Sequence, residues 1–438
     1  MRLLSARRWL PTASICLVLA SAAFADEPGL PAVLTLESAL RLLHQRSLDL
    51  LLSEAQVSAA QGDDRAAHAV ANPAVSGSVG KSFNYDPSAC AGCSATSVGL
   101  GISDQAALFD ALSGKRGLRI EVARAALAAA RLSREDAERT VRLALEQALV
   151  DAALQRAQLD FAGELLAFAQ RTQALDEKRL HAGAISEAEL ARAEVAALEA
   201  AQALDLAGQA ERTARSQVAV LLAVPGPLPD FRVDPGLLER GLRLVPPQAS
   251  RESLLAEAIA TRADLRALEQ QESRARAALA LVRRQRVPDV TLSASYAQEG
   301  TGPASITPPT LTFGLSLPLP IFYRQQGEVA RAEADLRVQT LQRRKLEAQV
   351  GGEVGTAFTA FATSRALVER MQTRLLDRAR RARDLVEIQY EKGAASLLEL
   401  LDAQRAYAQT HGEYLQDLHD LWVALFRLQA AAGKEIQP

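Results

Sequence analysis

The chain has 438 residues, of which 48% are hydrophobic, 4% aromatic and 23% charged, and its formal net charge is −2. This nearly balanced charge gives no reason to expect a nucleic-acid partner, and we expect none. The sequence has no nucleophile–base set, phosphate-binding loop or cofactor motif, so we expect neither an enzyme nor a cofactor.

The first 25 residues have the features of a secretory signal peptide. Arg2, Arg7 and Arg8 precede an apolar run from Ile15 to Ala25, which ends in Ala-Phe-Ala. That run is too short to span a bilayer as a helix, and the pattern predicts cleavage before residue 26. Loss of three arginines changes the net charge to about −5. We therefore expect an exported protein.

Two long tracts contain no proline, one between residues 88 and 224 and one between residues 321 and 437. Because proline costs about 3 kcal/mol inside a helix, such tracts favour long helices. An apolar seam starts at Val141 in the first tract and at Val350 in the second, with spacings that alternate between four and three. This spacing is typical of coiled coils, and about 65 helical residues make a rod of about 100 Å.

The sequence contains two copies of one unit. Residues 179–194 (RLHAGAISEAELARAE) and 389–404 (QYEKGAASLLELLDAQ) share Gly183/Gly393, Ala184/Ala394, Ser186/Ser396, Glu189/Glu399, Leu190/Leu400 and Ala193/Ala403. We divide the chain into the signal peptide 1–25, a first repeat 26–232, a linker 233–250 and a second repeat 251–438.

Each repeat is expected to contain a helix, a strand hairpin, a long helix, a glycine turn and a further helix. In the first repeat we predict a helix over about 36–71, a hairpin over about 73–104, a long helix over about 115–180 and a helix over about 186–222. The corresponding elements of the second repeat are expected over about 251–286, 288–318, 328–392 and 396–432.

The predicted hairpins alternate apolar residues with small polar ones. Val98, Leu100 and Ile102 alternate with glycine and serine, and Leu311 and Phe313 alternate with threonine and glycine. Strands of about nine residues with one apolar face suit a membrane β-barrel that has lipid outside and water inside. An antiparallel sheet with one face on a soluble core shows the same alternation, so this alternative stays open.

Four strands cannot close into a barrel, and an open edge in lipid leaves backbone groups unpaired at several kcal/mol each. Barrels of about eight strands are filled by their own side chains. Three chains supply twelve strands, so a trimer is the smallest assembly that leaves a water-filled passage. We therefore expect a homotrimer in contact with lipid.

The sequence resembles the TolC-type outer membrane efflux factors over nearly the whole mature chain. The phrases LFDALSGKRGLRIEVARAAL (108–127) and LPLPIFYRQQGEVARAEADL (317–336), which follow the two hairpins, are similar to the CzcC-like branch that serves heavy-metal efflux. The resemblance implies a mainly α-helical trimer in the cell outer membrane, with a twelve-stranded barrel that continues into a helical tunnel through the periplasm.

The resemblance also implies a function. Such a channel docks on a periplasmic adaptor (membrane fusion) protein, which is bound to a proton-driven inner-membrane pump of the resistance–nodulation–division (RND) class. We expect a passive exit duct for heavy-metal cations of the cobalt, zinc or cadmium type. A multidrug-efflux or type I protein-secretion channel is the alternative within the family, and a soluble periplasmic coiled-coil adaptor is the alternative from another class.

The repeated glycine turns match the periplasmic tips of the family's helical hairpins. The resemblance assigns adaptor docking to Ala182, Gly183, Ala184, Lys392, Gly393 and Ala394. Glycine ends a helix without a Cβ penalty, and Ser396 with Glu399, like Ser186 with Glu189, can form a capping box at the start of the next helix.

Three residues near the second turn match the family's tunnel entrance. Glu399 and Asp402 match an acidic constriction that favours cations. Equally good interpretations are that Glu399 acts only as a helix cap and that Asp402 is only a solvated surface residue. Tyr390 matches a tyrosine of the links that close the tip. The arginine that the family often carries a few residues later is replaced by Ala395.

The cysteine and histidine residues are the remaining candidates for a disulfide or a metal site. Cys90 and Cys93 lie between the first two strands, and in an oxidising compartment we expect a disulfide between them. The histidines show no metal-ligand spacing and are interpreted as surface residues: His44, His68, His181, His411 and His419. We predict no metal site.

Overall fold

The structure is a computed structural model that describes residues 30–83, 86, 88, 94–227, 230–243, 250–299 and 308–434. The predicted signal peptide 1–25 and the candidate disulfide Cys90–Cys93 lie outside the described residues. The helices are α1 Leu36–Arg46, α2 Leu48–His68, α3 Ala107–Leu112, α4 Lys115–His181, α5 Glu187–Leu221, α6 Leu237–Arg240, α7 Arg251–Thr261, α8 Ala263–Arg284, α9 Gln326–Arg370, α10 Leu376–Glu391 and α11 Leu397–Ala432. The strands are β1 Val33–Leu34, β2 Ala74–Lys81, β3 Thr96–Ser103, β4 Arg232–Val233, β5 Thr291–Glu299 and β6 Thr310–Ser316.

The two repeats form helical hairpins that lie side by side. Helix α4 packs against α5 and also against α11, and α11 packs against α10, which gives the order α5, α4, α11, α10. No helix among the described residues is both long and apolar enough to cross a membrane. The second long helix differs from the expectation over 328–392, because a π-helical segment, Met371–Leu375, separates α9 from α10. Its wider turn shifts the seam, so that Leu375 is 47% exposed.

The predicted helices over 36–71 and 251–286 are each two helices. The first breaks at Ser47 (φ −57°, ψ 119°) and the second at Arg262 (φ −59°, ψ 128°), whose backbones are extended. At the second break the Arg262 guanidinium, which is 2% exposed, donates hydrogen bonds to Asp264, Glu353 and the carbonyl of Ala431. The break therefore serves to place a charged side chain in the interior, where partners satisfy it.

The main core lies where α4, α9 and α11 meet the short segments at the ends of the repeats. Leu149 and Val354 are fully buried there. Strand β1 pairs in parallel with β4, and Leu237 of α6 is 1% exposed. The indole Nε1 of Trp422 donates to the carbonyl of Leu238 at 3.3 Å. The described part of the predicted linker is thus packed into the core.

The four long strands form one antiparallel sheet in the order β2–β3–β5–β6. One row across the sheet is Val75, Ile102, Ala294 and Phe313, and the next row is Ser76, Gly101, Ser295 and Thr312. One face is therefore apolar and the other carries small, mostly polar residues, as the alternation predicts.

The apolar face of this sheet is uncovered in a single chain. Val75 is 76% exposed, Val79 83% and Phe313 77%. The alternative in which this face packs on the chain's own soluble core is therefore wrong. Among the described residues, β2 pairs only with β3 and β6 only with β5, so each has one free edge.

Candidate functional site at the hairpin tips

The two hairpin turns have the same backbone geometry. At the first turn, the amide of Gly183 donates to the carbonyl of Leu180 at 2.8 Å, and that of Ala184 donates to Arg179 at 2.8 Å. At the second turn, Gly393 and Ala394 repeat both bonds, at 3.0 and 2.8 Å. The glycines have φ values of +72° and +74°, a conformation that disfavours a side chain, so glycine is needed at both tips.

Capping boxes start the helices that follow both turns. The hydroxyl of Ser396 accepts from the amide of Glu399 at 3.3 Å, and the Glu399 carboxylate accepts from the amide of Ser396 at 2.7 Å. Ser186 and Glu189 form the same pair of bonds. Both turns are therefore held by local hydrogen bonds, which leaves Ala182, Gly183, Ala184, Lys392, Gly393 and Ala394 exposed.

The two hairpins are joined just behind the tips by a small apolar cluster, which we call the tip cluster. It consists of Phe168, Ala193, Tyr390, Leu397 and Leu400, so that all four hairpin helices contribute. Ala395, which stands where the family often has an arginine, packs against the cluster as a partly buried residue.

Tyr390 is the polar centre of the tip cluster. It is 5% exposed, and its hydroxyl donates to the fully buried carboxylate of Asp176 on α4. The guanidinium of Arg179 lies 4.5 Å from the centre of the Tyr390 ring, and its Nη2 donates to the Tyr390 carbonyl at 2.6 Å. Asp176, Arg179 and Tyr390, which we call the latch, thus link α4 of the first repeat to α10 of the second.

Burial raises the pKa of the Asp176 carboxyl, although the bond from Tyr390 and the nearby Arg179 act in the opposite direction. One carboxylate oxygen, Oδ2, has no hydrogen-bond partner in the described ranges of the chain. Burial and the bond to Asp176 also raise the pKa of the Tyr390 phenol, which therefore stays protonated as a donor. The latch holds a carboxylate in surroundings that favour its neutral form.

The two acids of the proposed constriction have different surroundings. The capping bonds from Ser396 lower the pKa of Glu399, so this exposed carboxylate stays ionised while it caps α11. The Asp402 side chain is 64% exposed, and its Oδ1 lies 3.7 Å from Nη1 of Arg405. In a single chain neither acid is enclosed.

Asp176 and Arg179 were missed by the sequence analysis. Comparison of the two repeats contains a signal for them, because the positions 210 residues later hold Val386 and Gln389, while Tyr390 replaces Leu180. The latch is thus divided between the repeats: Asp176 and Arg179 come from the first repeat, and Tyr390 comes from the second.

Two histidines differ from the expectation of surface residues. The side chain of His419 is 12% exposed, and its ring nitrogens lie 2.5 Å from Asp151 and 2.8 Å from Asp420. His411 is half-buried and stacks on Phe161 at 4.0 Å between ring centres. Within the described part of the chain, no group of three or more His, Cys, Asp or Glu residues is arranged to hold a metal ion.

Comparisons with known proteins place the chain in a family. The model of the outer membrane efflux protein family matches residues 39–224 and 254–434, so that each repeat is one matched segment. The chain belongs to the outer membrane efflux protein family. Among proteins of curated function, none matches the sequence.

Solved structures of outer membrane channels have the same fold. The Campylobacter jejuni CmeC outer membrane channel is similar with a TM-score of 0.76 at 17% identity, over 91% of this chain and 85% of that one. CusC is similar with a TM-score of 0.74 at 20% identity, over 91% and 92%. The open state of the Neisseria gonorrhoeae MtrE outer membrane channel gives 0.69 at 19% identity, over 91% and 89%.

Membership of this family defines the class of protein. The chain is an outer membrane efflux channel that extends into the periplasm, and it is a passive channel rather than an enzyme. Its fold is mainly α-helical with few strands and contains an internal repeat.

The raised pKa of Asp176 predicts that acid strengthens the latch. Because the pKa of Asp176 is raised in the folded chain, protonation of its carboxyl stabilises the latch. This stabilisation is gained as the pH falls from neutral toward the ordinary pKa of 3.8. Arg179, Tyr390 and Glu189 are the other charged or titratable groups that act on it. In wild type, we expect protection of the amides at 390–396 from hydrogen exchange to increase as the pH is lowered from neutral.

In Asp176→Asn, which keeps an acceptor for Tyr390 but has no charge, this gain should be largely absent. Glu177→Gln, an exposed neighbour on α4, is the matched control and should behave as wild type. Protection factors corrected for the intrinsic exchange rate at each pH give the measurement. Equal pH dependence in Asp176→Asn and wild type would contradict the assignment.

Proposed function

We propose that the chain is the outer membrane component of a tripartite, proton-driven efflux system and acts as a passive exit duct for heavy-metal cations. In this proposal it works as a homotrimer that docks on a periplasmic adaptor bound to an inner-membrane RND-type pump. Specificity and energy come from these partners, and the duct supplies the path out of the cell.

The observation that carries the proposal is the open sheet. Its apolar face is exposed, and among the described residues its two outer strands each have a free edge, which in lipid leaves backbone groups unpaired. Edge-to-edge pairing with further copies removes both edges. Two copies give about eight strands, which side chains fill, whereas three copies give twelve strands around a lumen lined by small polar residues.

The two outer helices of the row α5, α4, α11, α10 support the same assembly. Helix α5 exposes Val195 (54%), Leu198 (70%) and Leu206 (59%), which lie on one face. Helix α10, at the other side, exposes Leu385 (55%) and Ile388 (47%). In the proposed trimer, α5 of one copy packs against α10 of the next, which covers both apolar faces.

The exposed turns are the proposed adaptor-docking elements. Three copies present six turns, and residues 182–184 and 392–394 offer backbone groups and short side chains to a partner hairpin. Because the backbone hydrogen bonds of each turn are internal, its shape does not depend on the partner. The latch closes this end of the duct in the proposal, and its opening frees α10 from α4.

The acidic pair supports a cationic cargo. Glu399 stays ionised at the start of α11, and Asp402 lies one turn further along the helix. Threefold repetition gives up to six carboxylates around the proposed entrance, where they favour cations over anions. The similarity of the phrases at 108–127 and 317–336 to the CzcC-like branch supports metal ions as the cargo.

Metal tolerance tests the proposed cargo. In the source bacterium, deletion of the coding sequence should lower tolerance to zinc, cobalt or cadmium, and expression of the wild-type chain should restore it. Unchanged tolerance to these metals and to copper would contradict the metal assignment. If tolerance to drugs, or secretion of a protein, is lost instead, the alternative channel types hold.

Single-channel recording in planar bilayers tests the acidic constriction. Glu399→Ala combined with Asp402→Ala should raise the conductance, because the side chains that narrow the proposed entrance are removed. Glu189→Ala removes the equivalent capping acid of the first hairpin and therefore controls for the loss of a helix cap. The proposed constriction would be contradicted if the double variant and wild type had the same conductance, or if Glu189→Ala raised the conductance equally.

A further inference from the structure

A cavity lies between the two hairpins, next to the tip cluster. It is formed by α4, α5 and α11 and has a volume of about 220 Å³. Its walls are mainly apolar and include Leu165, Phe168, Ala196, Leu401 and Gln404. Phe168 and Ala193 line the cavity and also belong to the tip cluster, so an occupant touches the residues that join the hairpins.

One polar side chain in the wall has no hydrogen-bond partner among the residues that the structure describes. Gln404 on α11 is 9% exposed, and neither its amide nitrogen Nε2 nor its carbonyl oxygen Oε1 makes a hydrogen bond with any of them. A buried carboxamide without partners is unfavourable, because it loses its bonds to water and gains none in exchange. The cavity therefore presents a paired donor and acceptor on an otherwise apolar surface.

Size and polarity limit what fits. An apolar cavity of about 150 Å³ holds benzene, so about 220 Å³ accommodates a molecule of two fused rings. The charged side chains of the lining, Glu199 and Arg405, are exposed at the mouth, which leaves the inner wall uncharged. A charged ligand group placed beside Gln404 would lose its hydration without a counter-charge.

We propose that this cavity is a binding site for a small, uncharged, two-ring molecule that carries adjacent N–H and C=O groups, as in a lactam. The ligand N–H donates to Oε1 of Gln404, and the ligand C=O accepts from Nε2. Its rings pack against Phe168, Leu165 and Leu401. Such a ligand bridges the first hairpin and α11 beside the tips, independently of which cargo the duct carries.

Ordered water is the competing occupant. A buried water needs two to four polar partners, and the wall offers Gln404 and the Thr172 hydroxyl, which already donates to the carbonyl of Phe168 at 3.2 Å. Water therefore satisfies the hydrogen-bonding groups of the Gln404 side chain only in part. A ligand that bonds to both Nε2 and Oε1 displaces this water favourably.

Equilibrium dialysis of the mature chain in lipid nanodiscs tests the proposal, with empty nanodiscs as the blank for partition into lipid. The probe is quinolin-2(1H)-one, and N-methylquinolin-2-one is the matched probe, because it keeps the rings and the carbonyl but cannot donate. We expect wild type to bind the first probe at least tenfold more tightly than the second.

Two variants of α11 and one of α5 complete the design. Gln404→Leu keeps the bulk but has no amide, so it should bind quinolinone at least tenfold more weakly than wild type. Gln409→Leu, an exposed glutamine on the same helix that bonds to Glu413, should bind as wild type. Ala196→Phe should fill the cavity and abolish binding of both probes.

Two results would overturn the proposal. One is quinolinone binding no greater than that of empty nanodiscs, which leaves water as the occupant. The other is equal affinity for both probes in wild type and in Gln404→Leu, which shows that the amide takes no part. A melting temperature for each variant in the nanodisc establishes that binding is compared between folded proteins.

Discussion

The unpaired backbone at the two edges of the four-stranded sheet is the constraint on which the account depends. Hairpin β2–β3 of the first repeat and hairpin β5–β6 of the second join through β3 and β5, so one edge of each repeat is satisfied within the chain. Within the part of the chain that the structure describes, the edges of β2 and β6 stay free, on a sheet whose apolar face is uncovered. In a membrane this arrangement is stable only when neighbouring copies close it.

The two repeats share their backbone geometry but differ in their side chains. Helix breaks at Ser47 and Arg262 lie 215 residues apart, and the glycine turns and capping boxes also recur. The latch does not recur, since Asp176 and Arg179 come only from α4. The repeated features determine the shape of the turns, whereas the latch, which differs between the copies, adds a polar link between the hairpins. In the proposal, opening of the latch loosens α10 while the turns stay intact.

Much of the fold could be predicted because its signals are local. Missing prolines predict the long helices, two-residue alternation predicts the strands, and the capping residues Ser186 and Ser396 predict where α5 and α11 begin. The break at Arg262 carries no such signal, because arginine is a good helix former and two of the partners of its buried guanidinium, Glu353 and Ala431, are distant in the sequence. The latch was missed for the same reason: Asp176 and Tyr390 are 214 residues apart.

The number of chains in the purified particle tests the central claim most directly. Native mass spectrometry of the full mature chain, released from detergent micelles, gives this number without reference to any cargo or partner. We expect a particle of three chains, because three is the smallest number that closes the sheet around a lumen. A stable particle of one chain, extracted from cells without detergent, would contradict it.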